Sequence, residues 1–579
     1  MVPRLGVDDK MNSNKPGTLV DIIRLRAHKD SSRKAYIFPV DSHVAELTYS
    51  ELERRARAMA IGLRQVTNPG DRVLIMSSPG AHYITAFAAS LYAGTIAVPV
   101  YPPTNSRSLS RLLGIIDDAL PSALLADAPV LALIAAQAGD SPLSRIRRLA
   151  VEDFALVDDD LPGPLPTPED VALLQYTSGS TGDPKGVVVT HGNLMHNSSL
   201  IASRMGVTEE SVCVSWLPPY HDMGLVGGIL QPLYRGFPAV LMTPLDFLQR
   251  PLRWLEAISQ FGGTVSGGPD FAFELCVRRY QEGATVPLDL STWSVAFSGS
   301  EPIKKRTLDR FAECFAASGF RREAWYPCYG LAEATLFVSG GPAEAPPVEV
   351  RTSAQSLEKH TFEQSDTGDT WLVGCGETPP DLDVRIIDPA TFEPVHDGRI
   401  GEVVVAGESV TRGYWNGKGQ ESFKTRLPGI EGDFLRTGDL GFLWKGQLFV
   451  TGRSKDVLII RGRNHYPQDI EDCVERSHPL VRPRGIAAFT VEADGQEQLV
   501  VVAELSPRHD AGQIEDVRSA IRQAVAEEHG LHLHAVALVR SRSVPKTSNG
   551  KLQRGLCRRL FLDGKLPILP TAEAGEDVA

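Results

Sequence analysis

No Cys-x-x-Cys pair occurs in the chain, and its seven cysteines (213, 276, 314, 328, 375, 473 and 557) are scattered. That spacing suggests neither a zinc site nor a disulfide framework, and a reducing cytoplasm suits it best. Positive charge is in deficit too: 59 Lys and Arg stand against 71 Asp and Glu, a formal net charge of −12. Such a balance argues against a nucleic-acid binder and favours solubility. Long hydrophobic runs are missing. The most apolar stretch, residues 123–138, is broken by Asp127 and Pro129 and falls short of the ~20 residues a membrane span needs, so no transmembrane segment is expected. The first ten residues lack the apolar core of a signal peptide.

What is present is an ordinary globular composition, 42% apolar and 22% charged, in a chain of 579 residues, too long for one core and hence expected to form two or more domains. It is organised around residues 173–193, Leu-Leu-Gln-Tyr-Thr-Ser-Gly-Ser-Thr-Gly-Asp-Pro-Lys-Gly-Val-Val-Val-Thr-His-Gly-Asn. Apolar runs at 171–174 and 187–189 read as the two strands of a hairpin. Between them the glycines let backbone N–H groups converge on an anion, the hydroxyls of Thr177, Ser178, Ser180 and Thr181 add donors, and Lys185 adds a charge. A Walker A loop would need Gly before that Lys and Ser or Thr after it; Pro184 and Gly186 stand there instead, so this is not a P-loop NTPase. By itself a Ser/Thr/Gly loop is equally a solvated turn. The whole run from Thr177 to Gly186 closely resembles the phosphate-binding signature of the adenylate-forming superfamily, which comprises acyl-CoA synthetases, peptide-synthetase adenylation domains, luciferases and fatty acyl-AMP ligases.

The rest of the chain is consistent with that resemblance. A helix over 47–63 with Ser50 as N-cap, a strand at 73–76, a helix at 82–93 and a strand at 95–100 alternate as in an α/β domain with parallel sheets. A Pro-rich connector spans 158–169. His221 and Asp222, in Pro-Pro-Tyr-His-Asp-Met-Gly, form either an acid/base pair or a helix cap beside an exposed imidazole. Strands at 264–271 and 294–302 end in small residues, including Ser300, Glu301 and Pro302, and the C-terminal ends of parallel strands are where ligands bind. Tyr329, before Gly330 and Leu331, can stack on a base, and Glu333, in the first turn of a following helix, either reaches a phosphate-bound cation or merely favours the helix N-terminus. Asp439, at a Gly-flanked turn, can accept from ribose hydroxyls or simply form the turn. Lys551, after Asn-Gly, reads locally as an exposed charge. Residues 541–565 carry seven basic and one acidic side chain, a segment suited to docking an acidic carrier protein or to forming a solvated helix.

The resemblance implies a fold and a division of labour. The fold is α/β: a large N-terminal domain, residues 1–453, of α/β sheet subdomains plus a β-rich subdomain, and a small mobile C-terminal α/β domain, 454–579, hinged near Lys455. The cofactors implied are ATP and Mg²⁺. Thr177, Ser178, Gly179, Ser180, Thr181 and Gly182 would hold phosphates with Lys185; Ser300, Glu301, Pro302, Tyr329, Gly330, Leu331, Asp439 and Arg453 would hold the nucleotide. Glu333 and Thr181 would take the metal, with Glu333, Lys185, His221 and Lys551 in catalysis. Tyr-His-Asp-Met, Tyr-Gly-Leu-Ala-Glu-Ala-Thr (329–335) and Arg-Asn-His-Tyr-Pro (463–467) resemble the fatty acyl-AMP ligase branch, the runner-up being a fatty acyl-CoA ligase and a third reading a non-catalytic nucleotide-binding module. Residues 351–370, polar and on local grounds a disordered loop, match the position of that branch's insertion, which holds the small domain away from the CoA-using orientation. The partners implied are a fatty acid and an acyl carrier protein in trans.

Overall fold

The computed structural model describes residues 16–570 apart from 41–42, 104–105, 138, 140, 158, 160, 178–183, 282, 284–286, 461–462, 494–495, 508–509 and 548–549. The Ser178–Gly182 part of the phosphate loop, including the metal candidate Thr181, therefore lies outside the described residues.

Two sheets dominate the first 340 residues. One has six strands in the order Arg147–Ala150, Ala123–Ala126, Arg72–Ile75, Ile96–Pro99, Val171–Thr177, Lys185–Thr190. It is parallel except for its last pair, the antiparallel hairpin expected from the sequence, with Thr177 directly opposite Lys185. The other has eight strands, parallel through its centre, ordered Phe337–Gly340, Trp325–Gly330, Val295–Ser298, Val265–Gly268, Cys213–Ser215, Ala239–Leu241, Lys34–Val40, His43–Thr48. Central strands such as Ala123–Ala126 and Val295–Ser298 are buried throughout, as the near-continuous apolar runs of a sheet covered on both faces require. A four-stranded antiparallel sheet follows, Asp383–Ile387, Gly401–Ala406, Leu435–Trp444, Gln447–Arg453. From residue 458 onward a separate core forms around the sheet Val481–Ala493, Gln496–Leu505, Leu533–Val539 and the helices Pro467–Ser477, Ile514–His529 and Arg554–Leu562. No helix among the described residues is long and apolar enough to cross a membrane.

Three local expectations change. The helix Tyr49–Arg64 is capped by Thr48 rather than Ser50: Thr48 Oγ1 accepts from Glu51 N–H and the Glu51 carboxylate accepts from Thr48 N–H, a reciprocal capping box. Asp439 lies inside the strand Leu435–Trp444, next to a register shift, rather than in a turn. Residues 351–370 are ordered, not a structureless loop. They continue an antiparallel pair, Glu349–Thr352 with Thr370–Val373, and carry the short helix Ala354–Glu358. Two apolar anchors account for this: Leu357 is buried, and the Phe362 ring stacks on Phe442 with centroids 4.7 Å apart, enough to order a segment that is otherwise polar.

Candidate active site

A cavity of about 1210 Å³ opens at the C-terminal ends of the central strands and is closed on one side by residues 455–554. Every described residue singled out from the sequence borders it: Thr177 and Lys185 from the hairpin, His221, the Ser300–Glu301–Pro302 turn, Tyr329, Gly330, Leu331 and Glu333, then Asp439, Arg453, Lys455 and Lys551. Ser300 sits at φ 73, a left-handed conformation uncommon outside glycine and frequent at functional turns. Gly330 is required by close approach, because a Cβ there would come within 1.9 Å of the Leu336 carbonyl oxygen.

At the nucleoside end the hub is the Asp439 carboxylate, 6% exposed. The strand register places Asp439 opposite Arg453, whose Nε lies 3.0 Å from Oδ1, while the Tyr329 hydroxyl donates to Oδ2 at 2.7 Å. The Asp439 charge raises the Arg453 pKa, and burial, with Asp439 behind it, raises that of Tyr329. Glu333 sits on a three-residue 3₁₀ turn, Ala332–Ala334, not in the first turn of a helix. Its Oε1 accepts from the Tyr414 hydroxyl at 2.7 Å. Lys185 Nζ lies 5.0 Å from the centre of the Tyr414 ring, and the Gly413 carbonyl accepts from Val188 N–H at 2.9 Å. Tyr414 thus links the hairpin to Glu333. Sequence reasoning missed it; its only local signal is Arg-Gly-Tyr-Trp at 412–415, and its polar partner Glu333 lies 81 residues away.

Asp222 is a helix cap, in keeping with one sequence reading, but its His221 neighbour is partly buried rather than exposed. Their side chains meet at 2.9 Å between Nδ1 and Oδ1, and Asp222 also caps the following helix by accepting from Met223 N–H at 2.7 Å. Burial opposes ionisation of Asp222, yet the contact with His221 and the charge of Lys551 hold its pKa below the usual carboxylate value. Lys551 is half-buried rather than exposed. Burial lowers its pKa, Asp222 counters this, and Arg453 adds to the lowering. Lys455, on the turn Ser454–Asp456, is likewise lowered, by burial and then by Arg453. Arg554, one of the basic segment, faces inward, to Glu471 at 2.6 Å and Asp456 at 3.2 Å, so part of that positive charge is neutralised inside the protein.

Beside the cavity, burial and the Glu301 charge push the Asp270 carboxyl up to about 7, although it accepts from Lys304 N–H and the Thr307 hydroxyl. A raised carboxyl pKa contributes stability that is complete below the unfolded value and is lost as pH rises through the folded one. Asp270→Asn keeps both hydrogen bonds, with the amide NH₂ donating to Thr307. It is therefore expected to raise the thermal unfolding midpoint at pH 8, by the equivalent of about 1 kcal/mol or more, and to shift it far less at pH 4. Equal shifts at both pH values would contradict the assignment.

Comparison with known proteins places this site in context. Residues 23–415 match the family model AMP-binding enzyme, and 455–571 match the AMP domain of the Disco-interacting protein 2-like family. The chain is 40% identical to the medium-chain-fatty-acid–acyl-carrier-protein ligase JamA of Moorena producens, over 96% of this chain and 97% of that protein. It is 35% identical to the long-chain-fatty-acid–AMP ligase FadD32 of Mycolicibacterium smegmatis, over 90% of each. Among solved structures, the fatty acyl-adenylate ligase of Legionella pneumophila in complex with acyl adenylate and pyrophosphate superposes with a TM-score of 0.74 at 37% identity, covering 96% of this chain and 97% of that one.

Proposed function

The chain belongs to the AMP-binding enzyme family, and from that premise we propose that it is a fatty acyl-AMP ligase, joining a fatty acid to AMP from ATP with release of pyrophosphate and then passing the acyl group to an acyl carrier protein. One observation carries this reading: a single cavity brings together Tyr329, Asp439 and Arg453, the Lys185–Tyr414–Glu333 group and Lys551, and is also lined by the apolar side chains of Ile201, Met205, Val207, Phe237 and Val265. The polar part suits a nucleotide. The apolar part suits an alkyl chain, whose burial contributes about 0.8 kcal/mol per CH₂.

In the reaction a carboxylate oxygen attacks the α-phosphorus in line with the departing pyrophosphate. Both reactants are anions, so the protein's task is to offset charge and hold alignment. Asp439 would accept from the ribose hydroxyls, with Arg453 beside it and Tyr329 against the base. Lys185 and the hairpin hydroxyls would hold the β- and γ-phosphates. Lys551 would bridge the incoming carboxylate and the α-phosphate, and His221 would border the point where the acyl chain enters. Among the described residues Tyr414 engages Oε1 of Glu333, and with Oε2 the carboxylate would suit Mg²⁺, which prefers carboxylate and phosphate oxygens. Mg²⁺ held there would neutralise phosphate charge. We place the domain boundary at the turn Ser454–Asp456, with Lys455 as the hinge whose rotation withdraws Lys551 and admits the carrier's thiol.

The test is a mass-spectrometric product assay with ATP, Mg²⁺ and a panel of fatty acids, run alone, with CoA and with phosphopantetheinylated acyl carrier protein. The expected result is acyl-AMP that persists with CoA and is consumed by the carrier, with one chain-length class preferred. Rapid acyl-CoA formation would make the protein a conventional synthetase, and absence of any adenylate would remove the enzymatic reading.

A further inference from the structure

Glu301 borders the cavity in a turn assigned from the sequence to nucleotide binding, yet both of its carboxylate oxygens are engaged elsewhere. Oε1 accepts from Phe271 N–H at 2.7 Å, and Oε2 accepts from Arg484 Nη2 at 2.9 Å. Arg484 comes from the other side of the cleft, in the strand Val481–Ala493, and its guanidinium also lies over the Phe271 ring, 4.3 Å from the centroid. Its backbone is at φ 59, inside the register shift between Val481 and Ile486, and its N–H donates to the Glu475 carboxylate at 2.7 Å. A non-glycine residue in left-handed conformation is strained, and such strain persists where surrounding contacts hold it. Here the side chain that glycine would lack is the one that reaches across the cleft. A second ion pair, Lys304 Nζ with Asp472 Oδ1, spans the same gap.

We propose that Arg484 is a positioning residue for the adenylating half-reaction: with Glu301 and Phe271 as its receptor, it clasps the C-terminal unit onto the large one so that Lys551 is presented to the α-phosphate. The proposal rests on the ligase reading above, and it reassigns Glu301 from nucleotide ligand to receptor of the clasp. The link from Arg484 to Lys551 runs through one fully buried carboxylate. Glu504, 0% exposed, pairs with Arg482 in the bulge that carries Arg484, and accepts at 2.8 Å from Val544 N–H, where the loop bearing Lys551 begins. Across that loop Thr547 N–H donates to the Lys551 carbonyl at 2.7 Å. Fixing the bulge against Glu301 therefore fixes the loop. A charge-assisted, stacked guanidinium is well suited to this, because Arg holds a planar, directed geometry that a point charge does not.

The discriminating variant is Arg484→Gly, which suits the left-handed backbone and removes only the clasp. Misplacement of a reacting group by about 1 Å is sufficient for a large rate loss. Acyl-AMP formation by Arg484→Gly is accordingly expected to fall roughly tenfold or more in kcat, with KM for ATP and fatty acid nearly unchanged. Transfer to the carrier from supplied acyl-AMP is expected to proceed at the wild-type rate or faster, Arg484→Lys to recover part of the loss, and Lys304→Ala to deepen it in the double variant. An unchanged kcat overturns the proposal, as does an equal loss in both half-reactions; a raised KM for ATP with kcat intact also does so, by making Arg484 a nucleotide contact. Amide hydrogen exchange separates this from the underlying reading. Should the wild type form no adenylate, the ligase reading fails, while faster exchange at Phe271 and at 545–553 in Arg484→Gly still supports the clasp and unaltered exchange there defeats it.

Discussion

Lys551→Ala is expected to lower acyl-adenylate formation by about a hundredfold or more, the order expected when one preorganised cationic donor is removed from a water-poor site, and to leave ATP binding largely intact. The reason lies in where the ammonium group stands. It enters from the C-terminal unit into a cavity whose other charges, Asp222, Glu301, Arg453 and Asp439, all act on it. The nucleoside contacts proposed above come from other elements, so occupancy is expected to survive. The loop survives too, because the substitution leaves the Lys551 main-chain hydrogen bonds with Thr547, N–H to Oγ1 at 3.1 Å among them, untouched. Adenylate yield measured by mass spectrometry beside ATP affinity measured by calorimetry is the check. Unchanged adenylate formation would refute the role given to Lys551.

Shortening the 351–370 segment is expected to produce the second large effect, a gain of acyl transfer to CoA of at least about tenfold over the intact protein, on the scale of a released conformational block. Thr352 and Thr370 are directly opposed in the strand pair, so an Asn-Gly turn in place of 353–369 can close the hairpin without changing its register. The segment touches the C-terminal unit: the Glu358 carbonyl accepts from Asn464 Nδ2 at 3.2 Å, and the Glu358 carboxylate faces Arg463 at 3.6 Å and His465 at 3.7 Å. These contacts hold the strand pair just beyond the hinge. Because the shortened protein also loses the stacked Phe362, Glu358→Ala serves as a milder companion variant with the packing retained. Acyl-CoA formation with both variants, compared at equal folded protein, tests the idea. No gain in either would place the block elsewhere.

The parts of this protein that were legible beforehand share one property: their chemistry requires several small or polar residues adjacent in the chain. The hairpin around Thr177 and Lys185, the strand ends at Ser300 and Tyr329, and the Asn-Gly-Lys at Lys551 are of that kind, and the structure gathers all their described residues at one cavity. What was illegible depends on distant partners. Tyr414 matters because Glu333 and Lys185 lie beside it, and nothing within 412–415 says so. Glu301 read as a nucleotide residue because its neighbours are small, whereas its partner stands 183 positions away. Asp439 read as a turn because glycines flank it, but the cross-strand register with Arg453 keeps it extended. Polarity alone offered a disordered loop as one reading of 351–370, and two apolar side chains are enough to order it.

The strand Gln447–Arg453 ends on the residue that grips Asp439, and the turn Ser454–Asp456 begins at the very next position. The proposed nucleotide contact, Arg453, and the proposed hinge, Lys455, thus stand two positions apart on one chain, with no lever between them. A nucleoside seated on Asp439 and Arg453 would stiffen the axle at its root, and departure of AMP would slacken it. If the smaller unit swings about Lys455 as proposed, its motion would be geared to the contents of the cleft through this short connection, and lengthening the chain by one glycine after Arg453 would uncouple the motion from the cargo while leaving each half of the machine intact.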